Sequence, residues 1–157
     1  GRSCGVCFYD GGNRLCIHRI AKYAEAAGVG RKTGIDLPNE AEGLVPSTKW
    51  KVRTTRQKWY AGETISVAIG QGATIVTPLQ LAAAIGGLSI GGIFHRPHLV
   101  KDIAEVPRTV PMNPDNIAKV VYGMWGVVND GGTGGRARLP GLDGCGKTGT
   151  AQLASNE

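Results

Sequence analysis

The chain has 157 residues, 41% of them hydrophobic and 19% charged, which supplies a core and excludes a disordered, highly charged chain. No apolar run reaches the roughly 18 residues of a membrane-crossing helix. The net charge is +6, but a basic balance speaks to non-specific partners and not to fold, so no nucleic-acid partner is expected.

The first residues, "GRSCGVC", place Cys4 and Cys7 in a C-x-x-C, with Cys16 and His18 close behind. The spacing suits tetrahedral zinc poorly, so no metal is expected, and these cysteines with Cys145 read as buried, inert thiols. Over residues 14–27, Ile17, Ile20, Ala21, Ala24 and Ala27 share one helical face, and Gly28 and Gly30 are suited to end that helix. "GIDLPNEAEGLVP" reads as turns with a short extended piece. Lys49, Lys51, Arg53, Arg56 and Lys58 surround Trp50, Trp59 and Tyr60, a solvated loop with aromatics pinning it to the core.

"TISVAIGQG" (Thr64–Gly72), rich in β-branched residues, predicts a strand. Thr77 followed by Pro78 predicts a helix cap, with the helix running to Gly86-Gly87. "HRPHLVKDI" (His95–Ile103) predicts another strand. Asn113-Pro114 repeats the cap-plus-proline signal, and Ile117, Val120, Val121, Met124 and Val128 come after it with helical spacing. Asn129–Gly144 is a glycine-rich loop, and a last strand is expected over Gly146–Leu153. His18, His95 and His98 have no evident acid–base partner. Helices with a terminal strand and glycine-rich connections predict an α+β fold.

The run "GLDGCGKTGTAQ" supports two chemistries. Gly141, Gly146, Lys147 and Thr148 fit the phosphate loop G-x-x-x-x-G-K-[ST]. That loop works between a buried strand and a helix N-terminus, yet "GGTGGRARLP" precedes it and Gly149 stands where a helix would have to begin. Lys147-Thr148-Gly149-Thr150 also reads as the K-T-G-T strand of enzymes that acylate an active-site serine. There a lysine supplies charge, threonine hydroxyls bind a substrate carboxylate, and a strand amide faces the developing oxyanion. A second K-T-G, Lys32-Thr33-Gly34, precedes a turn and reads as structural.

Four segments, "GVGRKTGIDLPNEAEGLVPSTKWK", "WYAGETISVAIGQGATIVTPLQLAAA", "GGIFHRPHLVK" and "GKTGTAQ", resemble the transpeptidase domain of class B penicillin-binding proteins, above all the elongation-specific type. The resemblance implies an α/β sandwich of the penicillin-binding-protein and serine β-lactamase kind, helices packed on an antiparallel sheet that is incomplete here. Residues 1–157 would form part of one such domain, truncated at both ends.

It further implies a serine acyl-enzyme that cross-links peptidoglycan stem peptides and is acylated by β-lactams, with no cofactor. The family's third motif falls on Lys147, Thr148, Gly149 and Thr150. Its second, S-x-N or S-x-D, falls on Ser3-Cys4-Gly5, where Gly5 replaces the expected Asn or Asp. Ser3 and Lys147 would move protons and polarise the site; Thr148, Gly149 and Thr150 would bind substrate. No serine here has a lysine three residues later, so the nucleophile's S-x-x-K is expected upstream, and these residues alone are expected to be inactive. By resemblance the full-length protein sits on the periplasmic side of the cytoplasmic membrane, held by an N-terminal anchor. It would work with a membrane glycan polymerase and elongation-complex proteins. A catalytically silent scaffold of the same family is the alternative that Gly5 favours.

Overall fold

The computed structural model describes residues 4–149. They form α1 (Gly5–Ala26), α2 (Thr48–Thr55), α3 (Ala61–Ala68), α4 (Pro78–Ser89), β1 (Ile93–Phe94), β2 (Arg108–Thr109) and α5 (Pro114–Asn129). A 3₁₀ turn, Gly135–Ala137, comes after α5. The chain divides into two compact units: Phe8–Pro111, and Met112–Glu157 with Gly1–Cys7. Helices with a small antiparallel sheet agree with the expected α+β class.

In the first unit, α1 is longer than the apolar stripe predicts and breaks at Cys16, whose φ of 61° and ψ of 157° are non-helical. Ile17 and Ala21 are buried, and Ile20, Ala24 and Ala27 are half-buried, as the stripe requires. The helix ends in a turn through Gly28 and Gly30, at φ 92° and 75°. Gly12 lies against α3: a Cβ built there would stand 2.3 Å from the Ala68 Cβ. Only a residue without a side chain lets the two backbones approach this closely.

The strand expected over Thr64–Gly72 does not form. Residues 61–68 are helical: the Glu63 carboxylate accepts from the Tyr60 amide at 2.8 Å, and the Glu63 amide donates to the Tyr60 carbonyl at 3.1 Å. Thr64 and Val67 are then buried on one face, so cap and packing override β-branched propensity. The basic, aromatic stretch before α3 is not the solvated loop expected: Ser47 accepts from the Trp50 amide and starts α2 there, and the stretch is tied to α3. Lys51 is buried, 2.5 Å from Glu63 and over the Tyr60 ring at 4.7 Å, and Trp59 Nε1 donates to Thr64 Oγ1 at 2.8 Å.

Helix α4 starts where the sequence places it. Thr77 Oγ1 accepts from the Gln80 amide at 3.1 Å, and Pro78 takes the first turn. Gln80, only 1% exposed, is the polar hub of this unit. Its Nε2 donates to the carbonyls of Arg31 (2.9 Å) and Glu42 (2.8 Å), and its Oε1 accepts from Gly30 N at 3.3 Å. A bridge between Leu44 and Ile75 runs beside it. Gly87 faces Phe94, which leaves no room for a Cβ (2.1 Å to Cδ1).

Strand β1 pairs antiparallel with β2, Ile93 opposite Thr109 and Phe94 opposite Arg108. The longer strand expected over His95–Ile103 is absent. Pairing stops at Phe94, Pro97 has no amide to donate, and the Asp36 carboxylate takes the Leu99 and Val100 amides at 2.8 and 2.9 Å.

In the second unit, Asn113 caps α5 through its side chain and Pro114 occupies the first turn, as predicted. Val127 and Val128 are buried, Ile117, Val121 and Met124 half-buried, and Val120 is exposed.

Candidate functional site

Lys147, Thr148 and Gly149 lie in the second unit, on the segment that returns along α5. Side chains and a carbonyl of α5 hold this return. Trp125 Nε1 donates to Asp143 Oδ1 at 3.1 Å, and Asn129 Nδ2 donates to the Gly144 carbonyl at 2.7 Å. The Gly146 amide donates to the Met124 carbonyl at 3.1 Å. Gly146 also sits so close to Val128 that an added Cβ would be 3.3 Å from Cγ2. The motif is thus fastened to the helix immediately before its lysine.

Lys147, Thr148 and Gly149 are exposed. The lysine ammonium donates to the Thr148 carbonyl at 2.7 Å, and the hydroxyls of Thr148 and Thr133 are 2.8 Å apart. Thr133 comes from the glycine-rich loop, which sequence reasoning left without a role. Its only signal is a hydroxyl residue isolated among glycines, in "GGTGG". Gly134 in the same loop donates to the Val127 carbonyl at 2.9 Å, which sets Thr133 beside the motif.

The strand expected from Gly146 onward is not formed over residues 146–149, which are neither strand nor helix. The Gly146 amide is spent on α5 instead of on a neighbouring strand, and a strand exists only through such pairing. Thr150 and the rest of that expected strand lie outside the described residues, as does Ser3. The structure therefore brings together Lys147, Thr148 and Gly149.

The phosphate-loop reading fails here. Residues 138–145 before Lys147 contain no strand, and 147–149 do not open a helix, so the strand-to-helix setting of that loop is missing. The other K-T-G is structural, as expected: Thr33 N and Oγ1 both donate to Glu40 Oε1 at 2.6 Å, and Gly34 N donates to Oε2 at 3.0 Å. These bonds, the Thr33 hydroxyl first, hold the Glu40 carboxyl below its usual range.

Two further expectations need correction. Cys4 and Cys7 are bridged, with Cα atoms 5.4 Å apart, since C-x-x-C at a helix start brings the sulfurs within reach. Cys16 and Cys145 are free but exposed, because neither falls on a buried face. One histidine does have an acidic partner, His95, whose Nδ1 is 3.3 Å from Glu105; His18 Nε2 is 3.3 Å from the Thr48 hydroxyl and His98 Nδ1 2.9 Å from the Val100 carbonyl, neither of them an acid or a base.

Comparison with known proteins agrees with the motif. Residues 1–157 match the family described as the penicillin binding protein transpeptidase domain. The peptidoglycan D,D-transpeptidase MrdA of Acinetobacter baumannii is 41% identical over 98% of the chain, which spans 24% of that protein. A penicillin-binding protein 2 from Helicobacter pylori, solved in complex with MreC, superposes with a TM-score of 0.79 at 35% identity, over 84% of this chain and 25% of that one. Pseudomonas aeruginosa PBP2 in complex with WCK 5153 gives 0.78 at 38%, over 87% of this chain and 34% of that one. The chain thus spans about a quarter of the curated relative's length.

Proposed function

Because this chain belongs to the penicillin-binding protein transpeptidase domain family, we propose that it carries the K-T-G side of the acyl-transfer centre of a peptidoglycan D,D-transpeptidase. The observation that carries this reading is the placement of Lys147-Thr148-Gly149: exposed, outside any helix, and fastened through Gly146 to α5.

In the proposed reaction a serine of an S-x-x-K motif, located elsewhere in the full-length protein, attacks the D-alanyl-D-alanine carbonyl of a stem peptide. The terminal D-alanine leaves with a proton, and an amine of a second stem peptide displaces the serine to form the cross-link. Lys147 attracts the substrate carboxylate, and the Thr148 and Thr150 hydroxyls hydrogen-bond it. Gly149 lets substrate lie against the backbone, and the Thr150 amide stabilises the oxyanion. Ser3 relays protons. β-Lactams acylate the same serine. The reading includes action outside the cytoplasmic membrane in cell-wall elongation and cell shape, from an N-terminal anchor. Its partners would be a glycan polymerase and a MreC-like elongation protein, the latter suggested by the Helicobacter pylori complex.

Fluorescent penicillin tests this. The full-length protein should be labelled covalently, and Lys147→Ala should slow acylation by roughly tenfold or more, as expected for losing one charged hydrogen-bond partner. Ser3→Ala, which removes a neutral hydroxyl beside Gly5, should slow it less. An unlabelled full-length protein that still binds its cell-wall partners would instead favour the silent scaffold.

A further inference from the structure

The first unit holds a second concentration of chemistry, unrelated to the K-T-G motif. An open pocket of about 230 Å³ is lined by the end of α1, the 31–33 segment, α4, β1 and β2. Arg31, Lys32, Arg96 and Arg108 all line it, and no carboxylate does. Among the described residues none of these four forms an ion pair.

Their positions are built. Arg108 stands on β2 with its guanidinium 4.7 Å from the Phe94 ring centroid, and donates one N–H to the Ala26 carbonyl. Arg31 donates to the Glu25 carbonyl. Each therefore uses one edge on the last carbonyls of α1, while a guanidinium has five N–H donors. Arg96 lies over Gly34, with its Cδ 3.4 Å from where a Cβ would stand. Burial and the charge of Arg31 push Arg108 below its usual pKa, so these like charges are gathered at a cost.

Two acids of the neighbouring segments are committed elsewhere. Glu105 accepts from the Arg96 amide at 2.6 Å and faces His95. Glu40 is held by Thr33 and Gly34. Four basic side chains lining one pocket that no carboxylate lines fit a polyvalent oxyanion.

We propose that this pocket binds a phosphate-bearing ligand, its phosphate or diphosphate group held by Arg31, Lys32, Arg96 and Arg108. Ala83, Phe94, Pro97 and Val106 form the apolar remainder of the lining, suited to an organic moiety attached to that group. Such a group could come from a soluble phosphate compound or from a lipid headgroup, which share this chemistry.

The test uses the full-length protein in detergent micelles and calorimetry with inorganic pyrophosphate and citrate, followed by displacement of bound pyrophosphate with short-chain phosphatidylglycerol or phosphatidylcholine. Pyrophosphate binding should weaken about a hundredfold in the Arg31→Gln/Arg96→Gln double variant, roughly tenfold for each charged partner lost. It should be unchanged in Lys49→Gln/Arg53→Gln, which removes the same charge from α2. Thermal melting of both variants checks folding, and Arg31→Lys should bind with intermediate affinity. Displacement of pyrophosphate by phosphatidylglycerol but not by phosphatidylcholine assigns the lipid source; pyrophosphate binding that neither lipid displaces assigns a soluble one. Equal weakening in the two double variants, tighter binding of citrate than of pyrophosphate, or no pyrophosphate binding would overturn the proposal. Penicillin labelling is independent of every one of these readouts.

Discussion

Gln80 concentrates more structure in one side chain than any motif residue does. Its amide joins the start of α4 to Gly30, Arg31 and Glu42, and it is sealed from solvent. Gln80→Leu keeps the volume but strands these backbone groups, and each buried polar group left unpaired costs roughly 1–3 kcal/mol. The variant should lose about 2–4 kcal/mol in urea unfolding; a loss below about 0.5 kcal/mol would mean that water replaces the amide. In "TPLQLAAA" only the Thr77-x-x-Gln80 spacing marks this glutamine, as a capping-box residue; its burial is not legible there, because its other partners lie 38 to 50 residues away. Lys147, in contrast, was legible from four consecutive letters, since its chemistry is local. Thr133 was not, because its pairing with Thr148 depends on how the glycine loop folds back.

At the level of elements, two helix starts were readable, while α1 begins before its stripe, α2 read as a loop and α3 as a strand. Thr77-Pro78 and Asn113-Pro114 encode caps within a few residues, and both helices begin there. The strands expected at Thr64 and His95 failed because a strand is defined by what pairs with it, which no local pattern supplies. Helix packing carries the same lesson through Gly12. Gly12→Ala sets a methyl 2.3 Å from the Ala68 Cβ, and overpacking of this kind costs about 1–3 kcal/mol. This should appear as a lower melting temperature, despite alanine's better helix propensity. The double variant Gly12→Ala/Ala68→Gly should recover part of the loss, and a single variant more stable than the parent would show that α1 and α3 do not touch.

At the scale of the molecule, four carboxylates among the described residues are held below their usual pKa by bonds that exist only in the fold. Asp36 is lowered by the Val100 and Leu99 amides, Glu40 chiefly by the Thr33 hydroxyl. Glu63 is lowered chiefly by Lys51, and Glu105 chiefly by the Arg96 amide. A depressed folded pKa adds stability that is complete above the unfolded value, near about 4 for these acids. That stability is lost as pH falls through the lower folded values. Unfolding free energy measured against pH should therefore be level above about pH 5 and decline steadily below about pH 4. In Asp36→Asn the decline should be shallower, and an unchanged slope would remove Asp36 from the account.

The Asp36 clasp has a kinetic meaning as well. It joins residues 63 and 64 positions apart, and closing a loop costs entropy that rises only with the logarithm of its length, about 0.6 kcal/mol per doubling. The long span is therefore cheap to hold once the intervening helices are packed, but unfavourable to close before them. A contact completed after the folding barrier governs how fast the native state comes apart, not how fast it assembles. If the Asp36 clasp closes after that barrier, it acts as a latch on the first unit: Asp36→Asn would speed unfolding and leave the search for the folded state to the helices.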